Sequence, residues 1–87
     1  MIEAWIGQEV VVDLSSPYVC LGVLTRFDDA HLELTEADIH DLRDTRTTRE
    51  NYVVASLHTG IKRNRKCVLI SRRDVVAVAR LADVLVD

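Results

Sequence analysis

Apolar and polar residues follow one another in the first part of the chain in a pattern that predicts three β-strands. An apolar run covers residues 10–14, a second β-rich run covers residues 18–27, and strict alternation covers residues 31–34. Residues 15–17 and 28–29 are serine, proline and aspartate, which favour turns between strands. Three strands joined by such short turns predict an antiparallel meander.

Gly22 lies in the middle of the second predicted strand. A residue without a side chain at such a place marks a bend, a bulge or a close approach of another backbone. A strand of about ten residues that bends at its middle is long enough to belong to both halves of a small barrel. We therefore expect the second strand to bend at Gly22, and Phe27 to anchor the turn that follows.

The middle of the chain predicts a loop and then one helix. Residues 35–48 show no apolar period and predict the loop. Thr47 and Glu50 have the spacing of a capping box, and Gly60 is a typical helix stop, so a helix is expected over about 47–60. Its apolar stripe consists of Tyr52, Val53, Leu57 and Ile61.

Short elements are expected at both ends of the chain. Ile2, Trp5 and Ile6 recur at helical spacing, which predicts one helical turn that ends at Gly7 and covers the core. Near the other end, residues 67–70 and 75–81 predict two short apolar strands. The final segment, LADVLVD, is apolar enough to pack but too short to assign.

Size and charge limit the function classes. With 87 residues, the chain predicts a single domain over residues 1–87, near the size at which one core is only marginally sufficient. The net charge of −3 excludes a positive field over the whole molecule, so nucleic acid would need a local patch. Cys20 and Cys67 form no CxxC pair, and no window has the length of a membrane span, so we expect a cytoplasmic protein that does not contact membranes.

Residues 10–28 carry the strongest motif in the sequence. Alternating apolar residues are followed by a short turn and by Gly-x-Leu-x-x-Phe-Asp before the third predicted strand. This arrangement resembles the first motif of the Sm and Sm-like (LSm) proteins. The residues that match it without a gap are Val10, Val12, Leu14, Val19, Gly22, Leu24, Phe27 and Asp28.

The last third of the chain resembles the second motif of the same family. That motif is an apolar strand, then Arg-Gly-Asp or Arg-Gly-Asn, then another apolar strand. Residues 68–70 and 75–78 match the two flanks, while Ser71, Arg72 and Arg73 occupy the centre. The centre is therefore a departure from the family pattern.

The resemblance implies a fold and an assembly. It implies a mainly β protein, a small five-stranded and strongly bent antiparallel barrel with a short N-terminal helix and, here, a helical insertion between strands 3 and 4. In this family, strand 4 of one subunit pairs with strand 5 of the next, which implies a homo-oligomeric ring, a hexamer or a heptamer. It also implies RNA binding on one ring face, with no catalysis and no cofactor.

Two groups of residues are candidates for RNA contacts. His31 lies near the position of the family's pocket asparagine, and Ser71 takes the position of its arginine, so Arg72 or Arg73 would supply the cation from a neighbouring position. The basic run of residues 62–66 would contact phosphates. Its cations are Lys62, Arg63, Arg65 and Lys66. The alternative for both groups is an ordinary solvated surface.

Two other interpretations stay open. Seven ionisable residues between positions 31 and 44 include the residue types of metal and acid–base sites, although their spacing matches no known motif. They are His31, Glu33, Glu36, Asp38, His40, Asp41 and Asp44. The altered pocket residues and the acidic charge also fit a structural scaffold whose helical insertion binds a protein partner.

Overall fold

The computed structural model describes residues 1–44 and 46–86, and within these ranges the chain forms five strands, one α-helix and four short 3-10 turns. The strands are β1 (Glu9–Leu14), β2 (Tyr18–Phe27), β3 (His31–Asp41), β4 (Arg65–Ser71) and β5 (Val75–Arg80). Helix α1 (Arg49–Thr59) lies between β3 and β4. The 3-10 turns are Ile2–Trp5, Leu42–Asp44, Arg72–Asp74 and Leu81–Asp83. Thr45 of the predicted loop and Asp87 of the final segment lie outside the described residues.

The strands form one antiparallel sheet in the order β4-β3-β2-β1-β5. This arrangement confirms the predicted bent, five-stranded fold and the helix between strands 3 and 4. The expected N-terminal turn is also present, and Gly7 ends it with φ +89° while its N–H donates to the Leu24 carbonyl at 2.7 Å. No helix in the described ranges is long and apolar enough to span a bilayer.

The sheet bends where β2 and β3 change register at Gly22. One extra residue, Glu36, bulges out of β3 and has a φ of +50°. A Cβ on Gly22 would lie 3.0 Å from the Thr35 carbonyl oxygen and 3.1 Å from the Ala37 Cα. The glycine therefore allows the two backbones to approach, as the sequence predicted.

Apolar residues are buried on both faces of the sheet. Within the bend lies a group that we call the inner core, with Ile2 and Trp5 packed against it. Its buried members are Val10, Val12, Cys20, Leu24, Leu32, Leu34, Ala37 and Ile70. The opposite face is covered by α1, and this second group is the helix-side core. Its buried members are Val11, Val19, Leu21, Tyr52, Val53 and Leu81.

Two predictions near the insertion are wrong. Residues 35–41 are not a loop, because β3 continues to Asp41. The bulge at Glu36 breaks the alternation, and polar side chains of this segment are paired inside the protein, so the apolar pattern of a strand is missing. The helix begins one residue later than the predicted capping box, since the Thr48 hydroxyl, at the N-cap, accepts from the Asn51 N–H at 3.2 Å.

Candidate functional site

The turn between β2 and β3 is fixed by Asp28. Its carboxylate accepts hydrogen bonds from the backbone N–H groups of Ala30 at 2.8 Å and His31 at 2.7 Å. These two bonds, the Ala30 bond first, hold the pKa of Asp28 below its ordinary value. The imidazole of His31 is half-exposed, with Nδ1 3.7 Å from the same carboxylate. The turn therefore presents His31 in a defined orientation.

The turn between β4 and β5 lies directly against the first turn. His31 pairs with Ser71 in the sheet, and the Arg72 N–H donates to the Ala30 carbonyl at 2.8 Å. The Arg72 guanidinium donates to the Asp28 carbonyl at 2.7 Å and lies 5.8 Å from the centre of the Phe27 ring. The fold thus brings His31 and Arg72 together, although they are far apart in the sequence.

Arg73 follows in the same turn and differs from Arg72 in its surroundings. Its side chain is exposed, and within the described ranges it makes no hydrogen bond or ion pair. Arg72 has a structural role in joining the two turns. Arg73 is consequently the more available cation for a ligand.

An open depression of about 410 Å³ lies beside the two turns. Glu33 accepts hydrogen bonds from the Thr25 hydroxyl at 2.7 Å and from Arg26 Nε at 3.1 Å, and these bonds lower its pKa. The depression is lined by polar and apolar side chains together, and the carboxylates of Asp28 and Glu33 already accept hydrogen bonds within the protein. Its lining residues are Arg26, Phe27, Asp28, His31, Glu33 and Leu69.

The predicted basic run lies at the other end of β4. Arg65 pairs with Ala37 at the start of the strand, whereas Ser71 pairs with His31 at its end. At about 3.3 Å per residue, the two ends are about 20 Å apart. Arg63 is partly neutralised by Glu36 at 3.6 Å. The seven predicted RNA-binding residues therefore form two separate surfaces on the protein.

Asn64 is a residue that the sequence reasoning missed. Its side-chain oxygen accepts from the Ile39 N–H at 3.0 Å, and its amide donates to the Ile39 carbonyl at 2.9 Å and to Asp38 at 3.1 Å. The basic segment is thereby fixed on β3. The signal available in the sequence was a single asparagine within a run of cations. An asparagine side chain can form hydrogen bonds with backbone groups, as a neighbouring strand would.

The acidic and histidine cluster is divided between different environments. Asp38 is 1% exposed and accepts a hydrogen bond from the Tyr52 hydroxyl of α1. The His40 ring stacks on Tyr52 with centroids 3.7 Å apart, and its Nε2, buried, lacks a hydrogen-bond partner among the described atoms. Asp41 is paired with Arg43 at 2.8 Å, which lowers its pKa to about 2. Across residues 1–44 and 46–86, no three such side chains are grouped to hold a metal ion.

Comparisons by sequence return nothing for this chain. No protein-family model matches it, and no curated protein matches it.

Comparisons by structure give clear similarities. The fold is similar to that of a Pyrococcus abyssii Sm protein solved with a uridine heptamer, with 16% identity and a TM-score of 0.63 over 91% of this chain and 90% of that one. It is also similar to an Sm-like protein from Archaeoglobus fulgidus, with 17% identity and a TM-score of 0.62 over 92% and 88%. A chain in the NatC complex bound to Gag peptide and CoA has 18% identity and a TM-score of 0.59 over 90% and 87%. The protein therefore has an Sm-like fold, as its motifs indicated.

Proposed function

We propose that this protein forms a homo-oligomeric ring of six or seven copies that binds RNA on one face without catalysing a reaction. The observation that carries the proposal is the junction of the two turns, where His31 and Arg72 lie together, with Arg73 next in the same turn, beside a depression of mixed polar and apolar lining. The similar Pyrococcus abyssii Sm protein was solved with a uridine heptamer, which supports RNA as the ligand class.

The free sheet edges support assembly. In the part of the chain that the structure describes, β4 and β5 are the two ends of the sheet and do not pair with each other. Each edge strand leaves backbone N–H and C=O groups unpaired, and such groups favour pairing with another chain. Pairing β4 of one copy with β5 of the next is a head-to-tail contact that closes into a ring when the rotation permits.

The chemistry of the junction supports RNA binding. A half-exposed imidazole beside Phe27 can stack with a base, and the unpaired Arg73 can contact a phosphate. Lys62 and Lys66 add a second cationic surface at the far end of β4. A ring repeats both surfaces once per subunit, so weak contacts combine.

Light scattering tests the assembly at micromolar concentration. We expect a mass of six or seven subunits. A monomer would contradict the ring, and RNA binding would then have to be explained by one subunit.

Retention of a labelled uridine oligonucleotide at low and moderate salt tests the RNA site. We expect Arg73→Ala to weaken retention several-fold without changing thermal stability, since the exposed Arg73 side chain makes no hydrogen bond or ion pair in the described ranges. Asp74→Ala, in the same turn, is the matched control and should not weaken retention. An oligomer that retains neither uridine nor adenine oligonucleotides at low salt would contradict RNA binding.

A second candidate function is a protein-binding scaffold. A chain of the NatC complex shares the fold, and most of the junction's charges are already paired within the protein. The inner face of α1 covers the helix-side core, so only the outer face of the helix is available for a partner. Asn51→Arg with Ala55→Arg alters that exposed face without reaching the core. Under the scaffold function, the double variant should lose co-purifying protein and keep its mass.

A further inference from the structure

We infer that the insertion helix α1 is part of the contact between copies. Leu69 of one subunit sits in a hollow of the next subunit, and this hollow is formed by α1, β5 and the C-terminal segment, residues 84–85. This inference rests on the proposed oligomer and adds to it a second, helix-based contact. Pairing of the strand edges alone would not require α1.

Leu69 is the projecting side chain. It lies on the edge strand β4 and is 63% exposed, while its neighbours Val68 and Ile70 point into the inner core. Successive side chains of a strand point to opposite faces of the sheet. Leu69 therefore projects from the same face that α1 covers at β1 and β2. A large apolar side chain beside an unpaired strand edge indicates a surface that a second chain covers.

The receiving hollow has a volume of about 160 Å³ and lies beside the other free edge. One wall is Ala79 of β5, which pairs with Val11 of the helix-side core. The helix contributes Val53 and Val54, and the C-terminal segment contributes Leu85, which is 90% exposed. The charged residues Asp13, Arg49 and Glu50 also line the hollow, and Arg49 pairs with Asp13 at 3.3 Å. An apolar cavity of about 150 Å³ can hold a benzene molecule, so this hollow has room for a leucine side chain.

The alternation of the strands makes the two surfaces meet. If β4 of one copy continues the sheet next to β5 of another, residues on the same face lie side by side. In the antiparallel register that we propose, Ile70 then lies opposite Val78, which packs against the inner core, and Val68 lies opposite Arg80. Leu69 would lie on the opposite face beside Ala79, whose small side chain leaves the hollow open. On each face of the joint, one apolar residue of β4 therefore lies opposite an apolar residue of β5.

Disulfide trapping tests this contact in the full chain. The exposed Cys67 is first replaced by serine, while Cys20 stays buried. Leu69→Cys with Val54→Cys should give a ladder of covalent oligomers under mild oxidation, because a disulfide requires Cα atoms within about 7 Å. The control is Leu69→Cys with Ala55→Cys, on the exposed face of the same helix. We expect at least ten-fold more cross-linked product from the first pair.

The outcomes separate this inference from the proposed ring. If the wild-type mass is oligomeric and both pairs cross-link equally or not at all, the helix contact is wrong and the ring stands. If the wild-type protein is a monomer, both proposals fail. As a second measurement, Leu69→Asp should raise the concentration for half-assembly at least ten-fold with an unchanged circular dichroism spectrum, while Ala55→Asp should not. An unchanged concentration with Leu69→Asp would overturn the inference.

Discussion

Gly22 shows how one position can determine the shape of this sheet. Its φ is not in the positive range, so glycine is needed for space and not for backbone conformation. The atoms nearest to a Cβ at this position belong to the backbone of β3, which cannot move aside as the end of a long side chain could. A residue with a side chain would therefore press β2 and β3 apart at the bend.

The first prediction follows from this crowding. Gly22→Val should destabilise the protein by about 1–3 kcal/mol, the usual cost of overpacking a core. Urea unfolding followed by circular dichroism measures the change. A midpoint equal to that of the wild-type protein would mean that the bend does not depend on close approach at Gly22.

The two cysteines differ in environment, which predicts a pH effect at the residue scale. Burial, and to a smaller extent the charge of Asp38, raises the pKa of the Cys20 thiol from 9.0 to about 11. The thiol ionises in the unfolded chain at lower pH than in the folded chain. Its contribution to stability is therefore complete below pH 9 and is lost as the pH rises toward 11.

Urea unfolding between pH 8 and pH 10.5 measures this second prediction. We expect stability to fall with a slope of at most about 1.4 kcal/mol per pH unit from this one group. Cys20→Ala should flatten the slope in this range, whereas Cys67→Ala, at an exposed position, should not. The same slope in both variants would assign the effect to other groups.

At the scale of elements, α1 is a structural layer and not an appendage. Its apolar stripe covers Val11, Val19 and Leu21 of the sheet, so removing residues 47–60 would expose the helix-side core. A buried hydrogen bond from Tyr52 to Asp38 also joins the helix to β3. The exposed positions of α1, including Asn51 and Ala55, remain free to vary.

The third prediction concerns this buried bond. Tyr52→Phe should destabilise the protein by about 1–3 kcal/mol, because the carboxylate of Asp38 loses a donor in a site closed to water. Hydrogen exchange should rise in α1 before it rises in β1 and β2. Tyr18→Phe, at a half-buried position on β2, is the control and should cost less. An unchanged stability for Tyr52→Phe would show that Asp38 finds a replacement donor.

At the scale of the whole molecule, the charge of −3 opposes general attraction to nucleic acid. Under the proposed function, RNA binding therefore depends on the two local surfaces at the ends of β4. Arg63 is already paired with Glu36, and Arg65 donates to the Asn64 carbonyl, so Lys62 and Lys66 are the more available cations of the basic run.

The salt dependence of RNA binding provides the fourth prediction. If the basic run contacts phosphates, Lys62→Ala with Lys66→Ala should weaken binding similarly for all sequences and reduce the salt slope by about one per lost contact. Fluorescence anisotropy at several salt concentrations measures the slope. Asn51→Asp with Ala55→Asp, at exposed positions of α1 outside the run, lowers the net charge by the same two units and is the control for total charge. An unaltered slope would restrict RNA to the junction of the turns.

The sequence by itself determined the local elements of this protein. The turn residues and apolar runs predicted β1 and β2 with nearly their observed bounds, Gly22 predicted the bend, and Gly60 predicted the end of α1. These features depend on neighbours along the chain, whose spacing sets strand alternation and helix periodicity. The resemblance to the Sm-like proteins added the arrangement of the strands.

Only the tertiary structure decided the length of β3 and the division of the candidate site. The sequence could not reveal that Asp38 is paired with Tyr52 and Asn64, so a buried strand segment looked like a polar loop. It also could not separate the basic run from the junction at His31, because their distance follows from the register of β4 on β3. Both outcomes depend on contacts between residues far apart in the chain, which local patterns do not encode.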